Sequence, residues 1–200
     1  MNTTRTVKAK PLRGFTLIEL MVAVSIFAIV MMVGVGALLS MVSVNKRTQA
    51  INAVMNNLNA AVEEMARSIR VGTTYHCETS AAYLPPSEYS YPQDCAQGGG
   101  KLLGFEPTGG DSLEESDQEV YRLNGTHIER SKDAGQSWVA LTAPEVEITD
   151  FQFYVNGTDA YPADSVQPRV MISIRGSAQI EGGSTDFLVQ TTVTQRLLDI

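Results

Sequence analysis

The sequence predicts an α+β protein in which one long N-terminal helix precedes an antiparallel β-sheet. Residues 15–44 form an apolar run that contains a single charge, Glu19. Residues 45–71 continue with apolar positions three and four residues apart, which is the period of one helix face. From residue 120 to residue 200 apolar positions often alternate with polar ones, which is the period of a strand. No helical pattern separates these strands, so the sheet should be antiparallel.

The second half of the chain carries clear strand and turn signals. Asn124-Gly125 lies between two apolar stretches, and this dipeptide is the strongest short signal for a β-hairpin. One face of the sheet would cover the apolar stripe of the helix, and the other would meet water. The predicted strands are 120–123, 126–130, 138–141, 146–155, 170–175 and 187–197.

The apolar run is long enough to cross a membrane. A transmembrane helix needs roughly 20 residues, and residues 15–44 exceed that length. A secretory signal peptide has an apolar region of about 7–15 residues that ends in a small-residue cleavage site, which is absent here. By the positive-inside rule, the N-terminus stays in the cytoplasm and everything after Val44 is exported. The rule applies because four positive charges and no negative one precede the run: Arg5, Lys8, Lys10 and Arg13.

Glu19 is the feature that a plain membrane anchor does not explain. It lies five residues into the apolar run. Burying a carboxylate in hydrocarbon costs at least about 2.5–3.5 kcal/mol. We therefore expect a group outside this helix to compensate its charge.

The residues around Glu19 resemble a specific processing motif. Residues 13–19 read RGFTLIE, which is similar to the class III leader of type IV pilins and type II secretion pseudopilins. The resemblance implies that residues 1–14 are a leader and that a prepilin peptidase cuts between Gly14 and Phe15. It also implies that Phe15 becomes the N-methylated first residue. Glu19 would then pair with the N-terminal ammonium of a neighbouring subunit, since opposite charges attract strongly at low dielectric.

The resemblance also implies a pilin-like fold and a role in filament assembly. The apolar helices of many subunits would form the core of a type IV pilus or a type II secretion pseudopilus. The expected partners are other pilin or pseudopilin subunits, the prepilin peptidase, the inner-membrane assembly platform and membrane lipid. The chain would be a single-pass protein of the inner membrane with its C-terminal domain in the periplasm or outside the cell. After assembly it would reside in the pilus or pseudopilus.

Weaker similarities favour a minor subunit of the J or W kind, which would initiate or cap a filament. They lie in the size of the chain, in residues 66–70 (ARSIR) and in residues 190–196 (QTTVTQR). A major pilin or a tip adhesin is the alternative, in which a tyrosine-rich segment binds a surface or substrate. The four tyrosines of that segment are Tyr75, Tyr83, Tyr89 and Tyr91.

Residues 72–200 should form one exported globular domain. Its first part, residues 72–119, lacks sustained periodicity and is rich in proline and glycine, so we expect an irregular segment there. Its second part, residues 120–200, would hold the sheet. Cys77 and Cys95 both follow the apolar run, and the oxidising conditions outside the cytoplasm favour a disulfide between them. Two free thiols are the alternative.

No metal site is predicted. No spaced set of Cys and His accompanies the two cysteines. The acidic residues within 111–119 could bind calcium, as some pseudopilins do, but they lack the regularly spaced pattern of an EF-hand loop. A solvated loop is the preferred interpretation.

An enzyme is not predicted, and no cofactor is expected. His76 and His127 are the only histidines, and neither belongs to a nucleophile motif, a Gly-rich phosphate loop or a metal-ligand pair. Residues 131–138 resemble the Asp-box turn of sialidase propellers, but a propeller needs several copies. We interpret this stretch as a turn. A membrane-anchored glycan-processing enzyme is therefore a remote alternative.

The charge balance argues against nucleic acid as a direct partner. The formal net charge is −7, and removal of the leader would make it −11, because the leader carries four positive charges and no negative one. A surface of this sign repels phosphates.

Overall fold

The computed structural model forms two compact units. They comprise Met1–Lys46 and Arg47–Ile200. The described residues are 14–82, 84–111, 114–159, 166–180 and 183–197. The predicted leader, apart from Gly14, and Tyr83 lie outside them.

One α-helix, α1, runs from Leu17 to Val71. It ends at the residue that the sequence predicts, because Gly72 follows and turns the chain. The Gly72 amide donates a hydrogen bond to the Ile69 carbonyl (3.2 Å). The Tyr75 hydroxyl donates to the carbonyls of Ile69 (2.6 Å) and Gly72 (2.8 Å). These bonds satisfy carbonyl groups that a helix end otherwise leaves without partners.

The burial of α1 differs between the two units. In the first unit every described residue, from 14 to 46, is exposed. In the second unit the helix buries one stripe and exposes the opposite face, as an amphipathic helix of a globular domain does. The buried helix residues are Val54, Leu58, Ala61, Met65 and Ile69.

The strands follow the helix, and all neighbouring strands are antiparallel. One sheet has the order β1-β2-β3-β4-β5, and the other has the order β6-β7-β8. A 3₁₀ helix at Pro86–Ser90 lies between β1 and β2. The described strands are β1 (Thr73–Glu78), β2 (Leu102–Glu106), β3 (Glu119–Asn124), β4 (His127–Ser131), β5 (Val139–Ala140), β6 (Val146–Asn156), β7 (Arg169–Ile180) and β8 (Gly183–Thr194).

The predicted α+β class, with antiparallel strands after a long helix, is confirmed. Two details of the prediction are wrong. Residues 72–119 are not wholly irregular, because they contain β1 and β2. Residues 120–200 do not form a sheet of their own, because β3, β4 and β5 join β1 and β2 in a separate sheet from β6, β7 and β8.

Burial on both faces explains why β2 escaped the prediction. Every residue of β2 is buried, so the strand shows no alternation of polar and apolar positions. Leu103 and Phe105 contribute to the main core. Leu102 points into a second, smaller cluster with Tyr89, Val120 and Ala134.

The main core lies in the second unit and joins the α1 stripe to residues of both sheets. It contains Leu58 and Met65 from α1, Phe105 from the first sheet, and Phe151 and Phe153 from the second. The rings of Phe151 and Phe153 meet edge to face with their centroids 4.6 Å apart, a favourable arrangement for aromatic pairs. One hydrophobic core therefore joins α1 and the two sheets of this unit.

Cys77 and Cys95 form a disulfide in the structure, with 5.7 Å between their Cα atoms. Both are buried. Next to the disulfide, Gly100 and Phe153 exchange backbone hydrogen bonds of 2.7 and 2.8 Å. A Cβ atom at Gly100 would lie 2.4 Å from the Cys77 Sγ, so only glycine fits there. The connection from β1 to β2 is thus fastened to β6.

Truncation of the helix stripe should destabilise the second unit. Leu58 is fully buried, so Leu58→Ala should lower the free energy of unfolding by about 2–5 kcal/mol, because it leaves a cavity. Trp138, the sole tryptophan, reports unfolding by its fluorescence in a denaturant titration. The control is Asn59→Ala, an exposed neighbour, which should change stability by less than about 0.5 kcal/mol. Equal effects of the two variants would contradict the described packing.

Candidate functional site

Thr16 fixes the start of α1 and the position of Glu19. The Thr16 hydroxyl accepts a hydrogen bond from the Glu19 amide (3.3 Å), and its carbonyl accepts one from the Leu20 amide (3.2 Å). Thr16 is therefore the N-cap residue. Glu19 lies in the first turn, where the positive end of the helix dipole favours a negative charge.

The sequence reasoning did not single out Thr16. The signal was present, because Thr at the N-cap with Glu three residues later is the spacing of a capping box. The long apolar run drew attention to Glu19 alone. The Glu19 carboxylate therefore has a local structural reason to be at this place, in addition to any role between subunits.

Glu19 lies on an apolar surface of the first unit. It shares a shallow depression with Phe15, Ala23, Val24 and Phe27, and the small side chain of Ala23 leaves the carboxylate accessible. Within the part of the chain that the structure describes, no cation forms an ion pair with Glu19. An isolated carboxylate on an apolar helix needs a partner from another molecule if this surface enters lipid or a helix bundle.

Gly14 and Phe15 precede the helix in a non-helical conformation. Phe15 is 82% exposed, and an added Cβ at Gly14 would meet no atom within 4 Å. The peptide bond between them is accessible, as cleavage by a peptidase would require.

Among the described residues, α1 is the helix that is long and apolar enough to span a membrane, and its first part supplies the apolar stretch. Its most apolar window has a mean hydropathy of 2.7, and none of it is buried. The exposed side chains of this part include Ile18, Val22, Ile26 and Ile29. Such a surface is not stable in water and calls for lipid or other apolar helices.

The two histidines lie on different strands, His76 on β1 and His127 on β4. His76 is buried; its Nδ1 lies 2.8 Å from the Tyr91 carbonyl oxygen, and its ring meets Tyr89 edge to face. His127 begins β4 at the hairpin turn. Among the described residues, no group of three or more His, Cys, Asp or Glu is placed to hold a metal ion.

The turn at residues 131–138 uses its polar groups within itself. Asp133 accepts hydrogen bonds from the Ser131 hydroxyl (2.6 Å) and from the hydroxyl and amide of Ser137 (2.5 and 2.8 Å). Partial burial alone would raise the pKa of Asp133, but these bonds, with one from the Gln136 amide, lower it to about 2. The carboxylate is thus a structural acceptor in a turn, as the sequence interpretation has it.

Two of the three described tyrosines of the tyrosine-rich segment lie in the interior. Tyr75 and Tyr89 are buried, whereas Tyr91 is 68% exposed. Tyr75 closes the end of α1, and Tyr89 lies against β2, where a Cβ at Gly104 would come within 2.6 Å of its ring. Packing therefore accounts for these two tyrosines.

The first residues of the chain match a known family of sequences. The family model described as the prokaryotic N-terminal methylation motif matches residues 11–35, which include Gly14, Phe15 and Glu19. This match confirms the resemblance drawn from residues 13–19. No curated protein and no solved structure matches the chain. The family match concerns the start of α1 and does not extend to the sheets.

Proposed function

We propose that this chain is a subunit of a type IV pilus or of a type II secretion pseudopilus. The motif at residues 11–35 supports membership of the type IV pilin and pseudopilin family. One long N-terminal helix followed by antiparallel strands fits a pilin-like subunit. The family match points to a structural subunit and away from a glycan-processing enzyme.

The single observation that carries the proposal is Glu19 on the exposed apolar surface of α1, where no cation of the described residues pairs with it. Cleavage between Gly14 and Phe15 would create a new ammonium group on Phe15, four residues before Glu19. In the membrane, an ammonium and a carboxylate each carry a large desolvation cost, which their attraction offsets when they meet. Pairing between subunits therefore gives the helices a reason to associate.

The apolar helix supplies the rest of the assembly surface. With the leader on the cytoplasmic side, the positive-inside rule predicts that the chain after Val44 is exported. Before assembly the chain is a single-pass protein of the inner membrane in contact with lipid. The prepilin peptidase matures it, the inner-membrane assembly platform extracts it, and its helix joins those of sibling subunits. Small residues such as Gly34 and Gly36 permit close approach of neighbouring helices.

The finer assignment is a minor subunit of the J or W kind. The similarities at residues 66–70 and 190–196 support it. The burial of Tyr75 and Tyr89 disfavours a tip adhesin, because it removes two of the tyrosines from any contact surface. A major subunit is the remaining alternative, since its helix would need the same properties.

Replacement of Gly14 should block maturation. Gly14→Ala adds a side chain at the proposed cleavage site, so the uncut precursor should accumulate and keep its basic residues. Mass spectrometry of the N-terminus of the membrane-extracted protein measures this. The control is Gly36→Ala, a glycine within α1 that also has open space around it, and its cleavage should be unchanged. Normal cleavage of Gly14→Ala at the same bond would refute the peptidase assignment.

Replacement of Glu19 should reduce assembly without affecting insertion. Glu19→Ala leaves the Phe15 ammonium unpaired, which costs about 3–5 kcal/mol, or more than about a hundredfold in association. Quantification of this chain in sheared filaments and in membranes measures both steps. Glu19→Gln keeps the volume and removes the charge, and Met21→Ala, a control in the same turn, keeps the charge. If every variant enters filaments as well as the wild type does, the charge pair is excluded.

Copy number separates a minor from a major subunit. We expect quantitative mass spectrometry of sheared filaments to find this chain at a small fraction of the dominant subunit, since a subunit that initiates or caps a filament is needed a few times per filament. Counting against a stable-isotope-labelled standard gives the ratio. If this chain is the dominant protein, the minor assignment is wrong.

A further inference from the structure

A buried carboxyl group at the end of β2 has one oxygen atom without a hydrogen-bond donor. Glu106 is only 8% exposed, and its Oε1 atom has no hydrogen-bond partner. Asp117, which is half-buried, likewise has an Oδ1 atom that is buried without a partner. The buried Gln118 side chain adds a third such atom, its Oε1. Buried acceptors without donors are costly, so three of them in one region require an explanation.

The two carboxyl groups converge on Gly110. A Cβ atom placed at Gly110 would lie 2.1 Å from the Glu106 Oε1 and 3.0 Å from the Asp117 Oδ2. The groups therefore approach within about 5 Å, a distance at which one negative charge opposes ionisation of the other. A side chain at position 110 would force one of the two carboxyl groups to move. The Asp117 Oδ2 also accepts a hydrogen bond from the Asp111 amide (2.9 Å).

The groups around Glu106 favour its protonated form. Burial raises the pKa of Glu106, and the charges of Asp117 and Asp111 raise it further, whereas a hydrogen bond with the Gln118 side chain lowers it by less. Among the residues that the structure describes, no Lys or Arg forms an ion pair with Glu106 or Asp117.

Two more charged residues lie near this pair. Glu119 and Lys132 line a cavity together with Asp117. Glu119 is occupied, because it accepts hydrogen bonds from the Ser68 hydroxyl (3.2 Å) and from the Tyr121 hydroxyl. Lys132 is the cation among the residues lining this cavity.

We propose that Glu106 and Asp117 share a proton and that this proton fastens the β2–β3 connection to the sheet. A protonated Glu106 supplies the donor that the Asp117 Oδ1 atom lacks. When the proton leaves, the two carboxylates repel each other and the connection loosens. The connection is also attached to the helix, because the Thr108 hydroxyl donates to the Val71 carbonyl (2.5 Å). Loosening it therefore weakens a contact at the end of α1.

The direction of the pH response follows from linkage. The pKa of Glu106 is higher in the folded chain than the ordinary 4.5, so the folded state binds more protons than the unfolded state above that pH. Protection of the connection should be greatest at acidic pH and should fall as pH rises through the folded pKa. If the domain is exported, as proposed above, this pair responds to the pH outside the cytoplasm; the chemistry of the pair itself does not depend on export.

The experiment uses the purified full chain in detergent, so it is independent of processing and assembly. Hydrogen–deuterium exchange between pH 4.5 and 8 gives protection factors, corrected for intrinsic exchange, for residues 107–118. The wild type should lose protection as pH rises. Glu106→Gln carries a permanent amide donor, so it should keep the acidic level of protection at pH 8 and lose the pH dependence. Asp117→Asn should also lose it, which provides a second variant if Glu106→Gln does not fold.

A matched control and a cation test complete the experiment. Glu115→Gln removes an exposed acid of the same connection and should retain the wild-type pH dependence. A carboxyl ¹³C titration should give Glu106 a midpoint above 4.5. Three results would overturn the shared proton: no pH dependence in the wild type, an unchanged dependence in Glu106→Gln, or protection at pH 8 that calcium chloride restores and a chelator removes. The last result would assign the oxygen atoms to a bound cation.

Discussion

The burial of one stripe of α1 is the constraint on which the second unit depends. The stripe from Val54 to Ile69 contributes to the same core as the inner residues of both sheets. Among the described residues, α1 is the only α-helix. Apolar burial is the dominant favourable term in folding. The second unit therefore depends on the buried stripe of α1, although the first part of the same helix is exposed.

That first part presents the opposite situation. Residues 14–46 belong to the same helical stretch and its start, yet every one of them is exposed. The difference is one of surroundings and not of helix formation, since α1 continues without interruption through both parts. A helix that is apolar all round is stable when lipid or other helices surround it. Glu19 is the charged residue on this otherwise apolar part of the helix.

Two carboxyl groups of the second unit differ in how fully they are hydrogen-bonded. Asp133 accepts hydrogen bonds from hydroxyl and amide groups within its own turn, so it acts as a structural acceptor there. Glu106 is more deeply buried and has an oxygen atom without a donor. Sequence resemblance drew attention to the first residue and gave no sign of the second, because the partners of Glu106 are brought to it by the connection between two strands.

Several elements could be predicted because their signals are local. Gly72 ends α1, and Gly125 adopts the positive φ of 59° that the Asn-Gly turn between β3 and β4 requires. The strands β6 and β7 alternate buried and less buried residues, so the sequence shows the period of two that predicts a strand. The start of α1 was legible too, although Thr16 was overlooked beside Glu19.

The sequence by itself determined the long helix, its apolar and amphipathic parts, the processing motif and the order of the later strands. Each of these depends on neighbours within a few residues along the chain. Only the tertiary structure decided that β1 and β2 are strands, that the strands divide into two sheets, that Tyr75 and Tyr89 are interior, and that Glu106 meets Asp117. The physical reason is that periodicity records a difference between two faces of one element. It cannot record an element covered on both faces, nor which distant segment provides the cover.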